Sequence, residues 1–210
     1  MLTRKNNMKT KLLTICLLLS TTLSGFSFGA DFTDLDLKIG GINLGDDLSQ
    51  HLSSGTIQRG VKKTENWDLH LREPKKFKLI QVYGNKKINQ KYKKVSFLFL
   101  KTQEKLIIHS IDYHKKNYSK MSFCKRDLDK LSNNLSKKFP DAVKEGPDSG
   151  KISRNRGDYY RYVFFDKNNN ELSIQCSDWS KEIERKWGPE KTLNFDVNTL
   201  EARKWLENTK

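Results

Sequence analysis

Apolar residues follow two different periods along this chain, and each change of period marks an element. Phe77 to Tyr83, Val95 to Leu100 and Leu106 to Tyr113 are short runs rich in aromatic and β-branched residues, the composition of half-buried strands. Gly84-Asn85 marks a turn after the first run, and the short polar stretch Lys101 to Lys105 makes a hairpin of the second and third. Cys124, Leu128, Leu131, Leu135 and Phe139 then recur at spacings of 4, 3, 4 and 4. That spacing lines one side of a helix over Ser122 to Phe139, ended by Pro140. Glu145 to Gly157, with Gly146-Pro147 and Gly150, reads as an exposed loop. A second hairpin joins Tyr159–Phe165 to Glu171–Cys176 through Asp166-Lys-Asn-Asn-Asn.

Shorter signals flank these elements. Leu35, Leu37 and Ile39 alternate. Leu44, Leu48 and Leu52 then make a helical stripe behind Asp47 and Gln50, whose spacing resembles a capping box, and this predicts one small helix ending near Gly55. Trp179, Ile183 and Trp187 stand at i, i+4 and i+8 before the helix stop Gly188-Pro189. Asn198 with Glu201 predicts the cap of a last short helix carrying Leu200, Lys204 and Trp205. The sum is an α+β domain, an antiparallel sheet of about five strands covered by two to four helices. A helix-then-strands order occurs twice, a pattern that permits two α-then-strands modules.

The first residues change the compartment. Arg4, Lys5, Lys9 and Lys11 precede the apolar run Leu12 to Leu19, no acid occurs before Asp31, and small residues close the segment at Gly29 and Ala30. This is the order of a secretory signal, and the run is too short to cross a bilayer. Residues 1–30 are therefore expected to be a cleavable signal peptide and residues 31–210 a single mature domain, exported to the periplasm or the extracellular space. Cys16 lies inside the apolar run after Ile15, where a lipidated cysteine takes a small neighbour.

Export leaves two cysteines, Cys124 and Cys176, in a compartment where disulfides persist. Cys124 shares the helix stripe with Leu128 and Leu135, and Cys176 shares a strand face with Leu172 and Ile174, so both sulfurs point into the core. A disulfide tying that helix to the sheet is the expectation. The opening Ile39-Gly-Gly-Ile-Asn-Leu-Gly-Asp-Asp-Leu resembles the start of small secreted α/β modules, such as β-lactamase-inhibitor-like proteins and accessory lipoproteins of outer-membrane assembly. The likeness spans about a dozen residues and carries no site residue with it.

Charge narrows the partners. Removing residues 1–30 takes away four bases and no acids, which lowers the net charge from +15 to +11, with 36 bases against 25 acids. Paired lysines such as Lys75-Lys76, Lys86-Lys87, Lys93-Lys94 and Lys137-Lys138 suit an envelope protein, an anionic polymer or an anionic lipid surface, or serve as a solvated face. Arg156-Gly-Asp-Tyr-Tyr-Arg-Tyr-Val-Phe-Phe165 is the candidate binding surface, with Arg156, Tyr159, Tyr160, Arg161 and Tyr162 as its residues. It partly resembles an RNA-recognition strand, but export weighs against nucleic acid, and its alternation also describes sheet packing.

No constellation names a reaction. His51, His70, His109 and His114 are scattered, and a spacing of five sends the last two to opposite strand faces unless a bulge intervenes. The Asp166 to Glu171 stretch has the oxygens of a calcium loop without its glycine or its last glutamate, so a tight turn is the better reading. Ser122-Phe-Cys-Lys125 has the Ser-x-x-Lys spacing without its companion motifs. No catalytic, cofactor or metal site is assigned. The expected function is a non-enzymatic exported binding or accessory module; the alternative is a secreted hydrolase or enzyme inhibitor whose site is assembled from sequence-distant residues.

Overall fold

Alternating strands place their apolar residues on one face and their polar residues on the other, and here two such meanders meet at a shared strand. β1 (Lys78–Tyr83), β2 (Lys94–Lys101) and β3 (Leu106–Tyr118) form the first meander; β4 (Val143–Ile152), β5 (Gly157–Phe165) and β6 (Glu171–Trp179) form the second. β7 (Lys191–Asn198) lies between β3 and β6, giving the order β1-β2-β3-β7-β6-β5-β4 with every pair antiparallel. α1 (Leu48–His51) and α2 (Ser54–Thr64) precede the first meander, α3 (Met121–Lys138) precedes the second, and α4 (Lys181–Trp187) and α5 (Leu200–Glu207) flank β7. This is the expected α+β class, with a helix leading each meander.

The structure, a computed structural model, describes residues 32, 41–64, 76–83, 94–102, 104–152, 156–187 and 191–208. The signal segment, the Leu35–Ile39 alternation, His70, the Gly84-Asn85 turn and Gly188-Pro189 lie outside them.

The front face of the sheet carries the core. Ile80, Phe97, Ile111, Val197, Ile174 and Phe164 project from six different strands under Leu48, Ile57 and Leu128 of the three front helices. α2 sits directly on β1 because Gly60 has no side chain; a Cβ there would collide with the Ile80 side chain. α3 packs on β6 and β7 along the predicted stripe, with Cys124, Leu128 and Leu135 buried. Cys124 is bonded to Cys176, their Cα atoms 6.0 Å apart and their positions separated by 52 residues. Closing a loop of that length stabilises the fold by up to about 4 kcal/mol in the chain-entropy model.

Among the described residues, the back face is covered only in part. Ala202 and Trp205 of α5 pack with Phe77, Leu79 and Leu98 in a second, smaller cluster. The remaining rows are polar: Asp112, His114, Gln175, Asn194 and Asp196 all keep partial contact with solvent.

Several elements depart from the sequence reading. The predicted loop Glu145 to Gly157 is largely β4, a sheet-edge strand whose register slips between Glu145 and Asp148, around the cis Gly146-Pro147 bond. Glycine and proline read as breakers, but an edge strand with a bulge accommodates both. β7 is a further strand; Leu193, Phe195 and Val197 alternate on the core side, a pattern the reading passes over. The single small helix is two, since α2 restarts at Ser54 immediately after α1. Trp179 belongs to β6 instead of a helix face. Thr199, not Asn198, caps α5, its hydroxyl accepting from the Ala202 N–H at 3.2 Å.

Candidate functional site

A helix packed on a sheet has one face left for solvent, and on α3 that face is cationic. Phe123, Arg126, Lys130 and Lys137 follow at spacings of 3, 4 and 7, all exposed, and Lys120 and Lys138 stand at the two ends. At 1.5 Å per residue, the line from Phe123 to Lys137 runs about 21 Å. The two carboxylates of the helix point to its flanks. Asp127 accepts from the Tyr118 hydroxyl at 2.9 Å, and Asp129 accepts from Tyr162 at 2.9 Å and Tyr160 at 3.4 Å. Burial, reinforced by the hydrogen bonds to these acids, raises the Tyr118 and Tyr162 phenols far above their ordinary value, so both remain donors. Arg126 has Asp127 only at 4.0 Å, a separation that contributes little in water.

Phe123 is one of few large apolar side chains exposed among the described residues, at 41%. The Arg126 guanidinium lies 5.3 Å and the Lys120 ammonium 5.9 Å from its ring centre. Along the flank towards β4, Lys125 lies 4.7 Å from the Tyr160 ring and Lys144 4.6 Å from Tyr162, which extends the basic surface to the sheet edge.

The five residues proposed as a binding surface divide between the two faces of β5. Tyr160 and Tyr162 face α3 and join the front core. Tyr159 and Arg161 lie on the back, where Arg161 clamps Asp148 through Nε at 3.2 Å and an Nη at 2.8 Å and its guanidinium stands 5.1 Å from the Tyr159 ring. The hydrogen bonds from Arg161 hold the Asp148 carboxyl below its usual range. Arg156, exposed before β5, accepts from the Ser180 N–H through its carbonyl at 2.8 Å. The structure therefore brings Tyr160 with Tyr162, and Tyr159 with Arg161, without joining the pairs.

Other candidate chemistry resolves locally. Asp166 accepts from the backbone N–H groups of Phe32, Asn168 and Asn170 and from the Asn170 amide, and Asn169 adopts φ 58, the geometry of a turn. His109 and His114 do share the back face, because His109 is the extra residue where Leu98 pairs with Ser110 and Phe99 with Ile108. Roughly 16 Å of strand separates them. A groove of about 690 Å³ at the far end of the second meander is lined by Lys151, Asp158, Asp178, Trp179, Glu184 and Lys191. Four of its charges are matched in two pairs, Lys151 with Asp158 at 2.6 Å and Lys191 with Asp178 at 3.3 Å.

Sequence reasoning saw the α3 stripe only as a core face. Its outer face was legible from the same period, but the turning of Asp127 and Asp129 onto tyrosines from β3 and β5 was not. Among the described residues no helix is long and apolar enough to cross a membrane, and no group of three or more His, Cys, Asp or Glu is placed to hold a metal ion. No family model matches the chain, and neither a curated protein nor a solved structure matches it.

Proposed function

We propose that this protein is an exported, non-enzymatic binding module that holds an anionic polymer along the outer face of α3. The observation that carries this reading is the line Phe123, Arg126, Lys130 and Lys137, which contains three cations and no carboxylate. A linear polyanion gains from such a line because each cation displaces a condensed counterion, and the aromatic ring between two cations adds a flat apolar contact. Export is supported by the basic-then-apolar order of residues 1–30 and by the buried disulfide, which suits an oxidising compartment.

The test is salt-titrated binding to heparin, to anionic vesicles and to DNA, with R126E/K130E/K137E compared against the wild-type protein. Wild-type affinity is expected to fall linearly with salt on logarithmic axes. The triple variant is expected to bind at least about tenfold more weakly, with a slope reduced by about one for each cation removed. Salt-insensitive binding, or a variant that binds like the wild type, overturns the reading.

A further inference from the structure

The two strands at the middle of the sheet oppose two acids. Asp112 on β3 stands directly across from Asp196 on β7, and the row continues to Ser96 on β2 and Ser173 on β6. Cβ atoms of such pairs lie about 4.5–5.5 Å apart, and two like charges there repel. The surroundings do little to relieve that repulsion. From β2, Lys94 attracts Asp112, and Ser96 stands across from it. From β3, the Ser110 hydroxyl donates to Asp196 at 3.5 Å, and His114 lies one row away beside Asn194. From β6, Glu171 adds a third carboxylate; Arg203 and Glu207 of α5 act on it with opposite sign, and Arg161 of β5 is already engaged by Asp148.

A second observation is a missing donor. Asn198 is buried, shares the back face with Asp196 two residues away, and stands opposite Glu171 on β6. Among the described residues its Oδ1 accepts no hydrogen bond. A buried carbonyl oxygen without a donor is uncommon, and the O–H of a protonated carboxyl is the donor that this position lacks.

We propose that Asp112 and Asp196, with Glu171 beside them, form a proton-binding site whose acid O–H serves Asn198, and that losing this proton loosens the joint between the two meanders. The site is separate from the α3 stripe and stands or falls independently of it. Burial first, and then the Asp112 charge, pushes Asp196 up to about 7, and burial raises Asp112 and Glu171. The native protein thus binds more protons than the unfolded chain, in which aspartate titrates near 3.8. The stability that these acids contribute is greatest on the acid side and is lost as pH rises through about 7. His109 works in the opposite direction, because burial lowers its pKa, so an H109Q background removes that opposing contribution, and the comparison with D196N separates Asp196 from the remaining histidines.

Urea unfolding of H109Q with the disulfide intact, compared with H109Q/D196N, tests the site. In H109Q the folding equilibrium constant is expected to drop on the order of tenfold to a hundredfold from about pH 5 to pH 8. D196N, which mimics the neutral acid, is expected to level most of that drop. A flat or rising profile in H109Q, or an unchanged slope in the double variant, overturns the proposal. Should D196N prevent folding, the carbon-13 shift of the Asp196 carboxyl in the wild-type protein decides. Titration near neutrality supports the site, and titration below about pH 5 overturns it.

Discussion

At the residue scale, what distinguishes this protein is where its polar side chains find partners. Tyr118, Tyr160 and Tyr162 direct their hydroxyls at Asp127 and Asp129, which draws both acids of α3 to its flanks. His109 shows the same dependence on surroundings. Its Nδ1 lies 3.1 Å from the Thr199 hydroxyl and 3.6 Å from Glu201, while its ring packs on Phe77. Desolvation dominates, so the folded pKa lies below the ordinary histidine value of 6.5 despite Glu201. A depressed histidine binds fewer protons in the native state, so stability is lost as pH falls below about 6.5. The expected outcome is that H109Q gains thermal stability relative to the wild type as pH drops from about 7 to 5, measured by circular dichroism. A constant difference across that range removes His109 as a titrating group.

At the scale of elements, helices with a clear stripe were legible and strands with mixed signals were not. Met121–Lys138 differs by one residue at each end from the helix that Cys124 to Phe139 predicts, because its core face is written in local spacing. β4 was hidden because Gly146-Pro147 interrupts it, and nothing local says that the interruption falls on an edge. The start of α2 was hidden for a related reason, since Gly55 lies in its first turn and resembles a stop for α1. The seating of α2 on β1 depends on Gly60, where a Cβ would meet Ile80. Gly60→Leu is therefore expected to destabilise the protein by about 1–3 kcal/mol or more, the range of overpacked cores, while Ile80→Ala in the same chain restores part of the loss. Equilibrium urea unfolding reads both effects.

At the scale of the whole molecule, β7 joins what are otherwise two separate three-stranded meanders, each with its own leading helix. Its amides pair with β3 on one side and β6 on the other, so it opens only when both meanders part. Hydrogen exchange is expected to be slowest in β7, β3 and β6 and fastest in the edge strand β4; protection that peaks in β4 contradicts that order. The candidate site was legible in part. The basic excess and the aromatic strand are plain in composition, but Tyr159 and Tyr160 face opposite sides of the sheet, so the two cannot form one platform.

Local pattern alone determined the α+β class and the core side of α3, because each depends on period and residue type over a few turns or one strand; the pairing of Cys124 with Cys176 needed in addition the setting aside of the signal segment with Cys16, which leaves two core-facing cysteines. Only the tertiary structure decided that β7 enters between the meanders, that His109 bulges onto the face of His114, and that Asp196 meets Asp112. Those outcomes rest on strand register between distant segments; Ser110 and Asp196, for example, bond across 86 positions. Register follows from which faces bury together, a competition among all the strands at once, and no window of the chain contains it.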